Sequence, residues 1–413
     1  MSPKIVYGPW PTLAAARSFL SLLVKGTPLP SAALDPAVDR LAPRPPLSER
    51  PLSERPISER PISERPIAQW LMAHELGPLA YVRFQGLWPE LGHALQADWY
   101  AAAAENQLHQ ENFNQIASAF AQQQIPLLVL KGAALAQTVY PDAACRPMSD
   151  VDLWVAPDRM DEAVAVMQRL GFDLLEKAER PTKLQLLSGG EIRFGRPDWV
   201  QGLVELHWSA LAGWWLYHTA AVDMEGLWQR RVPLLTPVAE TDTAVLAYQL
   251  DPEDTIIQLA VHIAVNHQFS GTLLRSLADI ALTAVSRPIN WQLLADRAKR
   301  WRVGTAVYCT LSLTHHLFDL PASEPARRQL RPPRLRRRLL GRLINPRKAL
   351  NRADIRTSLA RQLLLLLLVD RPRDRGRLIG RTLWPTAEWR EARYGRPTSP
   401  FRHFWHVFRH WKI

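Results

Sequence analysis

The chain has 413 residues, 47% hydrophobic and 22% charged, enough to bury the cores of two or three domains and too apolar for a wholly disordered protein. Its two cysteines, Cys145 and Cys309, exclude a disulfide framework and a cysteine metal cluster, and they fit a reduced, cytoplasmic compartment. The net charge of +12 is uneven: residues 321–413 carry 24 Lys+Arg against 6 Asp+Glu, the rest 27 against 33.

Residues 1–24 contain an apolar stretch, Leu13 to Val24, interrupted by Arg17. It reads as an amphipathic helix and not as a signal peptide. A linker follows over 25–66. Within it, "LSERPLSERPISERPISERP" at 47–66 is a five-residue repeat whose prolines remove helix donors and whose Glu and Arg nearly cancel. Such a run buries no core and is expected to be extended or disordered. Residues 67–124 are rich in alanine, leucine and glutamine, with apolar positions at three- and four-residue steps, which predicts helices ending near Gln124.

The pattern changes at residue 125. "IPLLVLKG" is a short apolar run closed by glycine, a buried strand. "AALAQTVYP" predicts a short helix, "SDVDLWV" a second strand, and "PDRMDEAVAVMQRLGF" a helix with Asp158 as N-cap. "GGEIRFG" and "GLVELHWSAL" are further strands. The order predicts an α/β core over 125–236. Residues 237–350 read as a helical domain, and 351–413 as a basic helical tail. The apolar run "LLLLLLV" at 363–369 lies between Arg361 and Asp370, far too short to cross a bilayer. The fold class expected is α+β, with a small mixed-sheet core flanked by N-terminal helices and a C-terminal helical domain.

Asp150 and Asp152 sit one residue apart in an apolar run. On a strand they share a face, and two carboxylates in a partly dry place need a compensating cation. A divalent metal is the natural one, and Mg²⁺ takes oxygen ligands completed by water and phosphate. Lys131 and Gly132 precede the pair at a strand end before a helix, where backbone N–H groups suit phosphate. Glu205, with His207 on the same face, offers a third carboxylate to complete a metal site or accept a hydroxyl proton. His262 and His267, five apart, fall about 140° apart on an α-helix and are not expected to meet. Arg275 and Asp279, four apart, read as a surface pair.

"LKGAALAQTVYPDAACRPMSDVDLWV" followed by "VELHW" resembles the nucleotidyltransferase-like proteins of the DNA polymerase β superfamily, and within it a bacterial family of nucleotidyltransferase family proteins. "LAVHIAVNHQF" and "LLRSLADIAL" are similar to the helical half of that family. The resemblance implies a Mg²⁺-dependent two-metal transfer of a nucleoside monophosphate from a nucleoside triphosphate to an acceptor hydroxyl. It implies Asp150, Asp152 and Glu205 as metal ligands and catalytic carboxylates. Gly132 and the following helix start would hold the triphosphate, with Lys131 beside it and Arg146 as a phosphate contact. It also points to His262, Arg275 and Asp279 as acceptor-pocket residues. Ala133 stands where the superfamily has a second glycine or serine, and the gap from Gly132 to Asp150 is longer than usual. Those departures suit a second reading, a nucleotide- or partner-binding module without turnover. The basic tail suits a third, an RNA-directed transferase. The acceptor, whether small molecule, peptide, protein or RNA, is not specified by these residues.

Overall fold

A computed structural model describes residues 8–10, 12–26, 64–176, 181–196, 202–234, 247–355 and 357–410. The pentapeptide repeat up to position 63 lies outside the described residues. Among the described residues four helices precede the sheet. α1 (Leu13–Lys25) starts on Thr12, whose hydroxyl accepts from the Ala15 N–H, and ends at Gly26 with φ +60°. α2 (Glu64–Ala73) takes Pro66 into its first turn, where a missing N–H costs nothing. α3 (Gly77–Phe84) leads into α4 (Pro89–Gln122), a 34-residue helix. α4 buries Ala102, His109, Phe113, Ile116 and Phe120 at helical spacing.

Seven strands form one mixed sheet in the order β3-β4-β5-β2-β1-β7-β6. They are β1 (Leu127–Leu130), β2 (Val151–Trp154), β3 (Asp173–Leu174), β4 (Glu191–Gly195), β5 (Val204–His207), β6 (Val232–Pro233) and β7 (Ala247–Gln249). β1 is antiparallel to β2 and parallel to β7; β2 is parallel to β5, and β4 antiparallel to β5. The sheet therefore reaches past residue 236, because β7 pairs with β1. α5 (Lys131–Thr138) follows β1 directly, and α6 (Met160–Arg169) follows β2. Asp158 does not cap α6: Pro157 starts a 3₁₀ turn over Pro157–Arg159 that takes Asp158 into itself. α7 (Thr182–Ser188), α8 (Trp214–Thr219) and α9 (Met224–Gln229) flank the later strands.

The two faces of the sheet differ in chemistry. Val129, Val151, Leu153, Ile192, Phe194, Val204 and Leu206 share one core with Phe113, Ile116 and Phe120 of α4 and Val166 and Met167 of α6. Side chains alternate along a strand, so the intervening residues face the other way. There Leu128, Leu130 and Trp154 join a second core, made with the C-terminal helices. Asp152, Glu191, Arg193, Glu205 and His207 belong to this second face by the same alternation.

The layer over that face begins with α10 (Pro252–Val261), α11 (Leu273–Ser286), α12 (Trp291–Arg300) and α13 (Gly304–Phe318). Asp251 caps α10, accepting from Asp254 N at 2.7 Å. α1 packs on α11 and α13. Among the described residues seven more helices follow: α14 (Glu324–Gln329), α15 (Arg334–Leu343), α16 (Pro346–Leu350), α17 (Ser358–Leu368), α18 (Pro372–Leu383), α19 (Ala387–Tyr394) and α20 (Pro400–His410). The leucine run lies in α17, where Leu364 and Leu368 are buried. Among the described residues no helix is long and apolar enough to cross a membrane. One mixed sheet with helices before and after it is the α+β architecture expected.

Candidate active site

The strand register assembles the site. β2 and β5 are paired so that Asp152 lies opposite Glu205 and Trp154 opposite His207. β4 and β5 are paired so that Arg193 lies opposite Glu205 and Glu191 opposite His207. Asp152, Glu205 and His207 each bring one ligand atom to a cluster within 4.8 Å, and all three are buried. His207 Nε2 is 2.9 Å from Asp152 Oδ1 and 3.8 Å from Glu205 Oε2, while Nδ1 is 3.5 Å from Glu191 Oε2. The Arg193 guanidinium lies 2.5 Å from Glu205 Oε1, yet that oxygen has no hydrogen bond of proper alignment. β2 begins at Val151, so Asp150 stands just before the strand, half-buried, and is not a member of the three-residue cluster.

Lys131 is the cation of this cluster. It opens α5 with φ +45°, a left-handed conformation costing a lysine about 1 kcal/mol. Its Nζ donates to Asp152 Oδ1 at 2.7 Å. Burial works against the ammonium, but Asp152, Glu205 and Asp150 outweigh it and hold Lys131 above the usual lysine range. Burial likewise works against charge on Asp152, and Lys131 and His207 overcome it, holding that carboxyl well below the ordinary range. Asp150 moves the other way, raised by burial and by Asp152. Glu205 is pushed up to about 7 by burial and by the charges of Asp152 and Glu191. His207 stays above its ordinary value because its bond to Asp152 overcomes burial. Around Asp152, three carboxylates, Asp152, Glu191 and Glu205, face two permanent cations, Lys131 and Arg193; Asp150 faces Lys131, Arg146 and Arg275. The surplus of buried carboxylates over cations here, with Asp152, Glu205 and His207 within 4.8 Å, fits a divalent cation.

Gly132 and Arg146 are neighbours. A side chain at Gly132 would collide with Arg146 Nη1. The other two guanidinium nitrogens are committed: Nε and Nη2 each donate to Asp279, both at 2.9 Å. Tyr140 Oη also donates to Asp279, at 2.7 Å. This buried group joins the loop before β2 to α11. Asn106 of α4 fixes the same loop, donating to the Ala143 and Arg146 carbonyls at 2.7 and 2.9 Å.

Residues 61–319 match a family described as uncharacterised nucleotidyltransferase. The chain belongs to this family. Among curated proteins none matches. The nucleotidyltransferase region runs from the start of α2 to the end of α13, and so contains the whole sheet and the carboxylate cluster; α14–α20 lie beyond it.

Two expectations for the helical half of the nucleotidyltransferase region are corrected. Arg275 and Asp279 form no surface pair: Asp279 is buried against Arg146, and Arg275 pairs with Glu75 and donates to the Pro147 carbonyl at 3.0 Å. Tertiary partners outcompete the local one. His262 and His267 do meet, with their Nε2 atoms 2.8 Å apart. The helix widens to a π turn over His262–Asn266, which stacks residues five apart. Burial, and then Lys131, lower both imidazoles, so the pair is neutral near pH 7. His262 borders a small pocket with Lys131, Glu191 and His207. Glu191 and Arg193 went unrecognised as site residues. Their signal is the charge–apolar alternation of "EIRF", which matches that of "VELH" in the paired strand.

Proposed function

We propose that the protein transfers a nucleoside monophosphate from a nucleoside triphosphate to an acceptor hydroxyl in a Mg²⁺-dependent reaction. The observation that carries this is the Asp152–Glu205 pair beside Lys131, on one sheet face of a nucleotidyltransferase-family chain. Asp150, Asp152 and Glu205 hold the metal. His207, a nitrogen donor and a poor ligand for Mg²⁺, orients Asp152 through its 2.9 Å bond. When bound, the metal supplies positive charge to the phosphoryl oxygens in the transition state. Gly132 and the N-terminus of α5 bind the triphosphate, helped by Lys131 and by Arg146 through Nη1, its one nitrogen not engaged by Asp279. The acceptor oxygen bonds to the α-phosphorus and the bond to the α,β-bridging oxygen breaks. Pyrophosphate leaves with that electron pair, and the hydroxyl proton passes to Glu205.

The test is Mg²⁺-dependent pyrophosphate release from each of the four ribonucleoside triphosphates in the presence of a panel of hydroxyl acceptors (small alcohols, peptides and RNA), with Asp150→Asn alongside. The variant is expected to lose at least about a hundredfold in rate; equal rates in the two proteins overturn the mechanism. Ala133, which offers no hydroxyl to phosphate, supports the alternative of a nucleotide-binding module. That alternative requires calorimetric nucleotide binding without pyrophosphate release.

A further inference from the structure

Next to the carboxylate cluster lies a cavity of about 410 Å³, within the size range of small-molecule sites. Its polar side is Glu191 and Arg193 of β4. These are the residues that reach His207 at 3.5 Å and Glu205 at 2.5 Å, so the cavity stands one side chain away from the candidate metal ligands. Its opposite walls are apolar: Trp214 from α8, Leu366 from α17, Leu378 from α18 and Trp389 from α19. α17–α19 lie beyond the family match, so Leu366, Leu378 and Trp389 of this wall come from a segment outside the shared region.

Three features bear on what the cavity holds. Glu191 and Arg193 are the only ionisable residues among its described lining, and their charges cancel. The arginines that make the tail basic are absent from that lining, which argues against a polyanion inside. Second, two lining residues keep buried polar atoms without a protein partner, the acceptor Gln268 Oε1 and the donor Trp389 Nε1. Third, the rim near Asn266 and Gln268 follows the π turn, and Gln268 and Phe269 are consecutive residues with φ +52° and +56°. Strain of this kind is characteristic of ligand sites.

We propose that this cavity is the acceptor site, and that the acceptor is an uncharged small molecule with an aromatic or aliphatic body and a free hydroxyl. The acceptor role rests on the transferase reading above; the capacity to bind such a molecule does not. The bulk of the acceptor packs against the touching rings of Trp214 and Trp389 and against Leu366 and Leu378, and its hydroxyl points past Glu191 and Arg193 toward Glu205.

The test uses the full chain and ¹⁹F NMR with three uncharged probes: 4-fluorophenethyl alcohol, 6-fluoro-2-naphthol and 8-fluorooctan-1-ol. At least one probe resonance is expected to broaden with the wild-type protein and equally with Asp152→Asn. Leu366→Trp fills the cavity and is expected to weaken that binding at least tenfold. Ile379→Trp fills it from a rim position that is 41% exposed, which keeps the test valid should the first variant fail to fold. Binding of no probe, or equal binding to wild type and to folded filled variants, overturns the proposal. Displacement of a bound probe by a 20-nucleotide oligouridylate also overturns it, in favour of an RNA acceptor. Probe binding without pyrophosphate release from any triphosphate leaves a ligand site and defeats the transferase reading. Pyrophosphate release without probe binding defeats the cavity assignment alone.

Discussion

The same strands present two unlike surfaces. Toward α4 and α6, Val151, Leu153, Val204 and Leu206 pack in a dry core. Toward the C-terminal helices, Asp152, Glu205 and His207 meet within 4.8 Å. Backbone position is nearly shared, one residue apart, yet one face contributes stability and the other carries strained electrostatics. The difference teaches that the apolar face holds the register, and the register holds the carboxylates together. Burying like charges is tolerable because that face holds them beside Lys131 and Arg193.

The comparison is broken or sharpened by substitutions on each side. Glu205→Gln has the largest expected effect, a loss of about a thousandfold in pyrophosphate release. Because ionised Glu205 is opposed by burial, Asp152 and Glu191, the metal-free variant should melt at the wild-type temperature or above. A large drop in melting temperature would show that the site face is structural after all. Asp279→Asn, which strips Arg146 of its carboxylate, should cost about 3–5 kcal/mol in urea denaturation. Leu153→Ala on the dry face should cost about 2–5 kcal/mol, with pyrophosphate release per folded molecule retained. Activity lost without a change in stability would contradict the division.

The smallest effect lies away from both faces. His74, just after α2, is buried, and its Nε2 is 3.2 Å from the Leu350 carbonyl at the end of α16. Burial lowers its pKa to about 4. A lowered histidine contributes stability that is complete above about pH 6.5 and is lost as the pH falls toward 4, up to about 3 kcal/mol. Urea melts across that window should flatten in His74→Gln; an unchanged pH dependence removes His74 as the cause.

Strand alternation made Asp152, Glu205 and His207 legible, because a period of two is local information. The same alternation puts Asp150 beside Asp152, but β2 begins one residue later, at Val151. Glu191 and Arg193 depend on which strand pairs with β5, and that is settled by tertiary packing. At 3.6 residues per turn His262 and His267 fall on different faces, and the π turn reverses that geometry. Arg275 and Asp279 satisfied the four-residue rule, yet Glu75 and Arg146 lie closer in space. The cavity wall from α17 to α19 had no local signature at all, since it joins residues 150 and more positions apart, as in the Trp215 Nε1 bond to the Leu365 carbonyl at 2.9 Å.

The Lys131–Asp152 contact bears on the order of assembly. Where a cluster of carboxylates has only a metal to neutralise it, folding waits for the metal, as in domains that a chelator unfolds. Here an ammonium from the chain itself occupies Asp152 at 2.7 Å. The sheet can close on its own counterion, so under the proposed Mg²⁺ binding the fold does not wait for the metal.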